Sequence, residues 1–340
     1  MPTRQANCRV TVPKTLQRKG DPMKRIAATL VALGLSIACI LTGCSAEGSR
    51  EPATPVSEIK KLGGNVTLDE KSPDEPVIAV DLQDRQVTDA GLLHLEGMTR
   101  LERLNLYGTK ITDSGLAHLE GLTQLQTVDL AYTTITDAGL VHLKGLTQLQ
   151  SLSFQGTQVT DAGLVHLKGL TRLETLNPGC TTITDAGLAH VEGLTRLQEV
   201  NLANTRITDA GLNHLKALHR LQKLYLYGTE ITDAGLVHLK GLTELQTLDL
   251  GRTKITDAGL VHLKGLSQLQ ALFLVGSKVT DAGLVHLKGL TALHLLDLWK
   301  TKVSDNGGKE LWKALPKCTI IYNTNTLSPV DFRLGKKPPR

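Results

Sequence analysis

The sequence predicts an α/β solenoid, in which one short strand–turn–helix coil is stacked on copies of itself. The first observation is a unit of 24 residues that recurs without insertion or deletion and is clearest at residues 101–124. Fixed periods of this length are the signature of repeat architectures. The second is a change of hydrophobic spacing from two to three residues within each unit. The third is that aromatic residues make up only 3% of the chain, so leucine, isoleucine and valine must form the core.

Each unit begins with a predicted strand. Leu104 and Leu106 are two residues apart and therefore share one face of the strand, whereas Arg103, Asn105 and Tyr107 point to the other face. A single coil cannot bury its apolar side chains alone. Stacked coils, with their strands paired in parallel, can form one continuous core.

The second half of each unit predicts a short helix. Leu116 and Leu119 are three residues apart, as one stripe of a helix requires. Thr112 or Asp113 can cap this helix by accepting hydrogen bonds from its free backbone N–H groups. Gly121 stands where the helix ends and where a left-handed backbone is common.

The motif ITDAGL recurs ten times with small variations, and the whole unit reads LxxLxLxxTxITDAGLxHLxGLTx. This pattern resembles the leucine-rich repeat of bacterial lipoproteins with TDAGL-type repeats, and it is similar to the cysteine-containing class found in F-box proteins. The resemblance covers residues 77–316. It implies a curved, right-handed solenoid that is used for binding, with parallel strands on the concave face and short helices on the convex face. One departure is a threonine or serine after each strand, from Thr109 to Thr301, where family members often carry Asn or Cys; a hydroxyl can still satisfy backbone groups of the turn.

The N-terminal segment predicts export. A Met-Lys-Arg start at residues 23–25 precedes an apolar run over residues 26–41, which ends at Leu-Thr-Gly-Cys44. These are the parts of a secretion signal, and the ending resembles a lipoprotein box, which implies that Cys44 is lipidated. We therefore predict a chain anchored by lipid in the bacterial cell envelope, with the outer membrane as one location. An uncleaved membrane anchor is the alternative, but about 16 apolar residues fall short of the roughly 20 that a spanning helix needs.

The predicted domain organisation follows from these motifs. The segments are a non-native upstream extension at 1–22, a signal peptide at 23–43, a flexible tether at 44–57, an N-terminal cap at 58–76, ten repeats at 77–316, and a C-terminal cap strand with a disordered tail at 317–340. Residues 66–69 can add a strand beside the first repeat strand, and residues 318–322 a final strand. Such caps are needed because open ends expose the core and unpaired backbone.

Charge argues against a nucleic-acid partner, and cysteine spacing argues against a disulfide within the chain. The chain has a net charge of +5, but without residues 1–43 it carries 31 basic and 32 acidic residues. Nucleic-acid binding needs a basic footprint on the folded domain, so we expect no nucleic-acid partner. Cys180 and Cys318 are too far apart along the solenoid for a disulfide, which needs Cα atoms within about 7 Å. We expect a monomer without metal or cofactor.

Polar rows recur along the predicted helices. Histidines from His94 to His286 can suggest a metal site, but converging carboxylate or thiolate ligands are missing from the pattern, and we interpret them as a half-exposed row. The aspartates of the repeat can suggest calcium, but capping explains them. Lysines form a partial stripe that is either a solvated face or an accessory contact with anionic lipid or polymer. These are Lys144, Lys168, Lys216, Lys240, Lys264 and Lys288.

The outward strand positions vary, and we predict that they bind the ligand. Large aromatic side chains aimed at water are common binding hot spots. The candidate residues are Arg103, Asn105, Tyr107 and Asp129 in the early units, and Lys223, Tyr225, Tyr227, Asp249, Phe273, Asp297 and Trp299 in the later ones. The expected ligand is a protein or a glycan. The alternatives are a structural spacer or surface-coat element, and a substrate adaptor of F-box-like type, which the export signal opposes.

Two further features complete the expectations. The sequence contains no HExxH, P-loop or GxGxxG motif, and the helix histidines lie opposite the strand serines, so we predict that the protein is not an enzyme. Pro178 stands where a strand leucine is expected and lacks the donor that an interior strand needs. It is either a tolerated local defect or a kink that divides the binding face.

Overall fold

The computed structural model describes residues 54–322 and the backbone of residues 325–327. They belong to one compact unit that begins at Thr54. The predicted upstream extension, the signal peptide, Cys44, most of the tether and the tail after residue 327 lie outside the described residues. Among the residues that are described, no helix has the length and apolar character that crossing a membrane requires.

The strands form one sheet of 13 strands in chain order. From β2 to β12 they run parallel, and each residue pairs with its counterpart one unit later, as Thr127 does with Ser151. The first and last strands are antiparallel to their neighbours. The strands are β1 (Asn65–Leu68), β2 (Val77–Asp81), β3 (Arg103–Asn105), β4 (Thr127–Asp129), β5 (Ser151–Ser153), β6 (Thr175–Asn177), β7 (Glu199–Asn201), β8 (Lys223–Tyr225), β9 (Thr247–Asp249), β10 (Ala271–Phe273), β11 (Leu295–Leu298), β12 (Thr319–Tyr322) and β13 (Asn325–Leu327).

Short helices alternate with the strands and form the opposite side of each coil, so the predicted solenoid fold is confirmed. We call residues 77–100 coil 1 and number each later unit up to coil 10 at residues 293–316. The α-helices are α1 (Pro55–Lys61), α2 (Asp89–Leu92), α3 (Asp113–Leu116), α4 (Asp137–Leu140), α5 (Asp161–Leu164), α6 (Asp185–Leu188), α7 (Asp209–Asn213) and α8 (Asp305–Ala314). The 3₁₀ helices are Leu93–Leu95, Ala117–Leu119, Val141–Leu143, Val165–Leu167, Gly235–Leu239, Gly259–Leu263 and Gly283–His286.

The core lies between the strands and the helical turns. In coil 2, Leu104, Leu106, Ile111, Leu116 and Leu119 are at most 1% exposed. The equivalent side chains of the other coils join them in one continuous cluster. Full burial of one such side chain contributes about 1.5–3 kcal/mol. Packing between neighbouring coils is therefore the main source of stability, as expected for a solenoid.

The threonine after each strand is buried at the edge of this core. Thr109 donates its hydroxyl to the carbonyl of Leu106 at 2.7 Å, and the same bond recurs in the other threonine coils. The hydroxyl therefore satisfies a backbone group of the turn, as the sequence predicts. In coil 9 the smaller Ser277 leaves its buried Oγ without a hydrogen-bond partner among the described residues.

An aspartate at the start of each helix joins its coil to the next coil. Asp161 accepts hydrogen bonds from the backbone N–H of Thr184 at 2.7 Å and from its hydroxyl at 2.6 Å. Equivalent pairs run from Asp89 in coil 1 to Asp281 in coil 9. The predicted threonine cap forms in later coils, where for example Thr184 accepts from the N–H of Ala186 at 3.3 Å, but the side chain of Thr112 itself makes no cap bond. The carboxylate of the aspartate instead reaches across the gap between coils.

A glycine in the next coil makes room for this carboxylate. A Cβ atom built on Gly187 would lie 2.4 Å from Oδ1 of Asp161. The corresponding distances at the equivalent glycines, from Gly115 to Gly307, are 2.1–2.6 Å. The Asp of one coil and the Thr and Gly of the next therefore form a single joint. This joint explains why threonine, aspartate and glycine recur in the repeat.

The ends of the array are capped by antiparallel strands. Residues 55–57 of the predicted tether are part of α1, because Thr54 accepts from the N–H of Ser57 at 3.1 Å and proline favours the first helical position. Ile59 of this helix is fully buried and covers the first coil. The strands predicted at residues 66–69 and 318–322 correspond to β1 and β12, whereas the sequence pattern does not predict β13.

Pro178 removes a single bond from the sheet. Strand β6 ends at Asn177, and proline has no N–H to donate to coil 6. On the near side, the N–H of Phe154 donates to the carbonyl of Asn177 at 3.0 Å, and beyond the proline the N–H of Cys180 donates to the carbonyl of Ala203 at 2.7 Å. The loss is therefore local, and the register of the strands continues across it.

Replacing Gly187 by alanine tests the joint between coils. The added methyl group meets Oδ1 of Asp161 and displaces it from Thr184, so we expect the free energy of unfolding to fall by about 2 kcal/mol or more. Gly193→Ala is the control, because no atom lies within 4 Å of its added Cβ, and we expect a change of at most about 0.5 kcal/mol. Urea unfolding followed by circular dichroism measures both. Equal effects of the two substitutions would contradict the joint.

Candidate functional site

The outward side chains of the parallel strands and of the turns that follow them form one surface, which we call the strand face. Each coil contributes three outward positions, called first, middle and third, which in coil 2 are Arg103, Asn105 and Tyr107. All of the predicted ligand-binding residues occupy these positions. Arg103 is exposed, whereas Asn105 and Tyr107 are half-buried.

The middle position is less variable than the sequence analysis predicts. It is Asp or Asn in seven coils, and the side chain of each accepts from the backbone N–H two residues later at 2.8–3.2 Å. These residues are Asp81, Asn105, Asp129, Asn177, Asn201, Asp249 and Asp297. Four predicted ligand residues, Asn105, Asp129, Asp249 and Asp297, therefore already use one oxygen to shape the turn that ends their strand.

The residue after the third position has a positive φ angle, between 51° and 71°, in all ten coils. Four of these residues are glycines, and six carry side chains in a conformation that L-residues rarely adopt. The six are Asp84, Tyr132, Cys180, Asn204, Arg252 and Lys300. Tyr132 lies over the glycine of the next coil, since a Cβ atom on Gly156 would be 2.8 Å from its ring. The only signal for these residues in the sequence is their alternation with glycine.

An alternating row of rings and carboxylates crosses the middle positions of coils 7–10. The parallel register places Tyr225 beside Asp249, Asp249 beside Phe273, and Phe273 beside Asp297. We call these four residues the aromatic–acid ladder. Neighbouring strands are about 4.8 Å apart, so the carboxyl group of Asp249 lies between two aromatic residues.

Burial changes the acidity of the ladder. It raises the pKa of Asp249 to about 6, the charge of Asp297 adds to this rise, and the N–H of Gly251 opposes it. Burial likewise raises the pKa of Asp297 and, in coil 3, that of Asp129. No ion pair involves Asp249 or Asp297 within the described residues. Each carboxylate is therefore held with less water than it would have in an unfolded chain, and without a cation to offset the loss.

Aromatic rings and cations meet at the third positions beside the ladder. Lys300 places Nζ 4.1 Å from the ring centroid of Trp299, and the guanidinium carbon of Arg252 lies 5.5 Å from that of Tyr227. Trp299 is nevertheless 44% exposed. At the first position, Lys223 donates to Glu199 of the preceding coil at 2.9 Å. That bond raises the pKa of Lys223.

A second aromatic cluster lies in the early coils. The rings of Tyr107 and Tyr132 meet edge to face with centroids 5.2 Å apart, and Tyr132 is 38% exposed. Gln155 donates to the hydroxyl of Tyr132 at 3.2 Å and accepts from Asn177 at 3.0 Å. Tyr132 is absent from the predicted site because it lies one residue beyond the alternation of its strand.

Part of the histidine row on the helix side has local partners. Three histidines contact a glutamate of the preceding coil through Nδ1. The pairs are His118 with Glu96 at 2.7 Å, His142 with Glu120 at 2.6 Å, and His214 with Glu192. Among the described residues, no group of three or more His, Cys, Asp or Glu side chains is placed to hold a metal ion. Cys180 and Cys318 are free thiols, and burial raises the pKa of Cys318 to about 12.

Residues 77–336 match the family described as leucine-rich repeat region. The chain belongs to the leucine-rich repeat family. Leucine-rich repeat proteins commonly bind other proteins, and they are typically binding scaffolds rather than enzymes.

Solved structures of other leucine-rich repeat proteins are similar to this chain. Internalin C2 of Listeria monocytogenes is 28% identical with a TM-score of 0.50, over 61% of this chain and 84% of that one. A leucine-rich repeat protein of Leptospira interrogans is 21% identical with a TM-score of 0.50, over 67% of this chain and 68% of that one. A TDR receptor is 20% identical with a TM-score of 0.53, over 73% of this chain and 43% of that one. The last two show likeness of fold alone, and no curated protein matches the sequence.

Changing Asp249 to asparagine tests whether the buried carboxylate destabilises this leucine-rich repeat domain. The raised pKa means that the folded state retains a proton that the unfolded chain releases, so the carboxylate costs stability as the pH rises from about 4 to above 6. Asparagine keeps the turn bond, as Asn105 and Asn201 show. We expect Asp249→Asn to raise the free energy of unfolding by about 1–2 kcal/mol at pH 7 and to change it little near pH 4.

Urea unfolding at the two pH values measures this difference. Asp81→Asn is the control, because Asp81 is exposed and makes the same turn bond to the N–H of Gln83. We expect this control to shift stability by less than about 0.5 kcal/mol at either pH. A gain for Asp249→Asn that is equal at pH 4 and pH 7 would rule out the electrostatic explanation.

Proposed function

We propose that this protein is an exported binding module, anchored by lipid in the bacterial cell envelope, that recognises another protein through its strand face. A glycan is the alternative ligand. The protein acts without catalysis, cofactor, metal or nucleic acid, and as a monomer. The observation that carries the proposal is the combination of Trp299, which is 44% exposed, with the aromatic–acid ladder beside it.

The chemistry of the late coils suits a ligand that is partly apolar and partly cationic or rich in donors. Covering the exposed part of Trp299 removes apolar surface from water. Asp249 and Asp297 retain oxygens that can accept hydrogen bonds, and a donor or cation from the ligand would replace the water that burial removes from them. Aromatic residues at the centre of a patch are typical hot spots of protein interfaces.

The anchor rests on Cys44 and the residues before it. If Cys44 becomes the first mature residue and carries lipid, ten residues separate it from the start of α1 at Pro55. At about 3.3–3.6 Å per residue, this tether reaches at most about 35 Å. The strand face would then work close to a membrane surface.

A structural spacer or surface-coat element remains the second candidate, in which the strand face binds nothing. A coat built by stacking copies end to end would pair the edge strands of neighbouring copies. The described sheet ends in the antiparallel strands β1 and β13, and a spacer has no need of the exposed Trp299 beside the aromatic–acid ladder, which is why binding is the first candidate. A substrate adaptor of F-box-like type is the third candidate, and no feature of the described residues favours it.

Truncating two aromatic residues of the late coils tests the binding function. Residues 45–340 contain the whole compact unit and can be used to capture partners from envelope extract. We expect Tyr227→Ala together with Trp299→Ala to weaken capture of the partner by roughly 30-fold or more, because truncating even one hot-spot residue costs about 2 kcal/mol or more. Quantitative mass spectrometry of the captured proteins measures the loss, after circular dichroism shows that the variant is folded.

The matched control removes the other aromatic cluster of the same face, with Tyr107→Ala and Tyr132→Ala. We expect this variant to retain the partner. Loss in the control alone would move the site to coils 2 and 3. A partner captured equally by both variants would exclude the strand face, and no partner for the unchanged protein would favour the spacer.

Replacing Cys44 by serine tests the lipid anchor. We expect the unchanged protein, expressed in bacteria from Met23, to incorporate a labelled fatty acid and to sediment with membranes. We expect Cys44→Ser to lose the label and to move to the soluble fraction, because one sulfur carries the anchor. Cys180→Ser is the control that keeps the label. Label retained by Cys44→Ser would contradict lipidation at this residue.

A further inference from the structure

Aliphatic side chains lie exposed on the helix side of the solenoid. The residue before the histidine of the row is a valine in five coils, and these valines are 38–55% exposed. They are Val141 and Val165 in coils 3 and 4, and Val237, Val261 and Val285 in coils 7–9. The last three follow one another without interruption. Exposed aliphatic groups in a continuous row are candidates for a contact surface, because covering them removes apolar area from water.

A lysine follows each of these three valines along the same helical turn. Lys240, Lys264 and Lys288 are exposed, and in the described part of the chain none of them forms an ion pair. Lys288 also lowers the pKa of Glu310, less strongly than the bond of that glutamate to Lys313 does. The positive charge of this row is therefore largely uncompensated.

Three of the six earlier coils show what a compensated row looks like. The position of these lysines is a glutamate in coils 1, 2 and 5, and each glutamate contacts the histidine of the following coil. In these coils, side chains of the solenoid itself therefore provide the polar partners of the row. Lysine also occupies this position in coils 3, 4 and 6, but only coils 7–9 combine it with the exposed valine in three successive coils. The exposed lysines of coils 7–9 are open to an anionic partner from outside the solenoid.

The regularity of the row indicates what kind of partner fits it. Coils 7–9 carry the same four residues, Val-His-Leu-Lys, in the same place. A folded protein partner would have to present acidic groups at the spacing of the coils, whereas lipid headgroups move laterally to any spacing. The exposed valines fit the boundary between headgroups and acyl chains and have no counterpart in a soluble polyanion.

We infer that the helix side of coils 7–9 is a peripheral site for anionic lipid. Lys240, Lys264 and Lys288 contact the headgroups, and Val237, Val261 and Val285 lie at the edge of the acyl region. Because strands and helical turns lie on opposite sides of each coil, this contact turns the strand face away from the bilayer. The inference does not depend on the strand-face ligand or on lipid at Cys44.

Sedimentation with lipid vesicles tests this site. Residues 45–340, which lack the apolar run before Cys44 and carry no lipid, are mixed with vesicles of phosphatidylcholine alone or with added phosphatidylglycerol. We expect binding to the anionic vesicles only. Each lysine near an anionic surface contributes a factor of about five, so changing all three lysines to glutamine should weaken binding roughly 100-fold.

The matched control changes Lys254, Lys278 and Lys302 to glutamine. These lysines are also exposed, lie in coils 8–10 and give the same change of net charge, but they precede the helical turn of their coils. We expect this control to bind anionic vesicles within about fivefold of the unchanged protein. Equal weakening by both triple variants would overturn the proposed site, because it would show a response to net charge alone.

Changing Val237, Val261 and Val285 to serine tests the apolar part of the contact. We expect this variant to keep its fold, to weaken vesicle binding about tenfold, and to leave a residual that disappears at high salt, where screening shortens the reach of the lysines to about 3 Å. If the variant binds anionic vesicles as well as the unchanged protein does, the valines are not part of the site. Binding of the unchanged protein to dextran sulfate but not to vesicles would overturn the lipid inference in favour of a soluble polyanion.

Discussion

The structure depends on a carboxylate that crosses from one coil to the next. The aspartate at the start of each helical turn accepts two hydrogen bonds from a threonine of the following coil and occupies the space that a glycine leaves there. An inserted or deleted residue would move the aspartate out of reach of its threonine, which gives a physical reason for the constant length of the unit. The same joint sets the distance between successive coils on the helix side, while the hydrogen bonds between parallel strands set that distance on the strand side.

This constraint leaves some positions of the coil free to vary in residue type and fixes others. The core leucines, the buried threonine and the joint residues are determined by contacts inside the solenoid, and the middle strand position is largely determined by the turn that it closes. Variation is left to the first and third outward positions, to the residue with positive φ, and to the outer positions of the helical turn. The surfaces with distinctive chemistry, around Trp299 and around Lys264, lie at these free positions.

The repeat could be predicted from the sequence because its signals are local and multiplied by ten copies. Leu104 and Leu106 reveal a strand, and Leu116 and Leu119 a helix, from their spacing alone. Contacts between coils are less visible, because the partner of an aspartate lies 23 residues away and its direction depends on how coils stack. Tyr132 could not be predicted because its backbone departs from strand alternation. The start of α1 could not be predicted because proline after threonine is also typical of a linker. The aromatic–acid ladder follows from register, which the constant period fixes, but the desolvation of Asp249 depends on side-chain packing.

The residues with positive φ follow a period of two coils, because a residue with a side chain and a glycine alternate at this position in successive coils. Asp84, Tyr132, Asn204 and Arg252 each precede a coil that carries glycine at the same place, and for the first three a Cβ atom on that glycine would collide with the side chain. Only at Cys180 and Asn204 do two side chains follow each other, and there the first is small and its sulfur contacts the amide at 3.7 Å. This change of phase falls in the coil that contains Pro178. A pair of coils, one with a side chain and the next with glycine at this position, therefore fits beside another such pair without bringing two side chains together, and the alternation changes phase between coil 5 and coil 6.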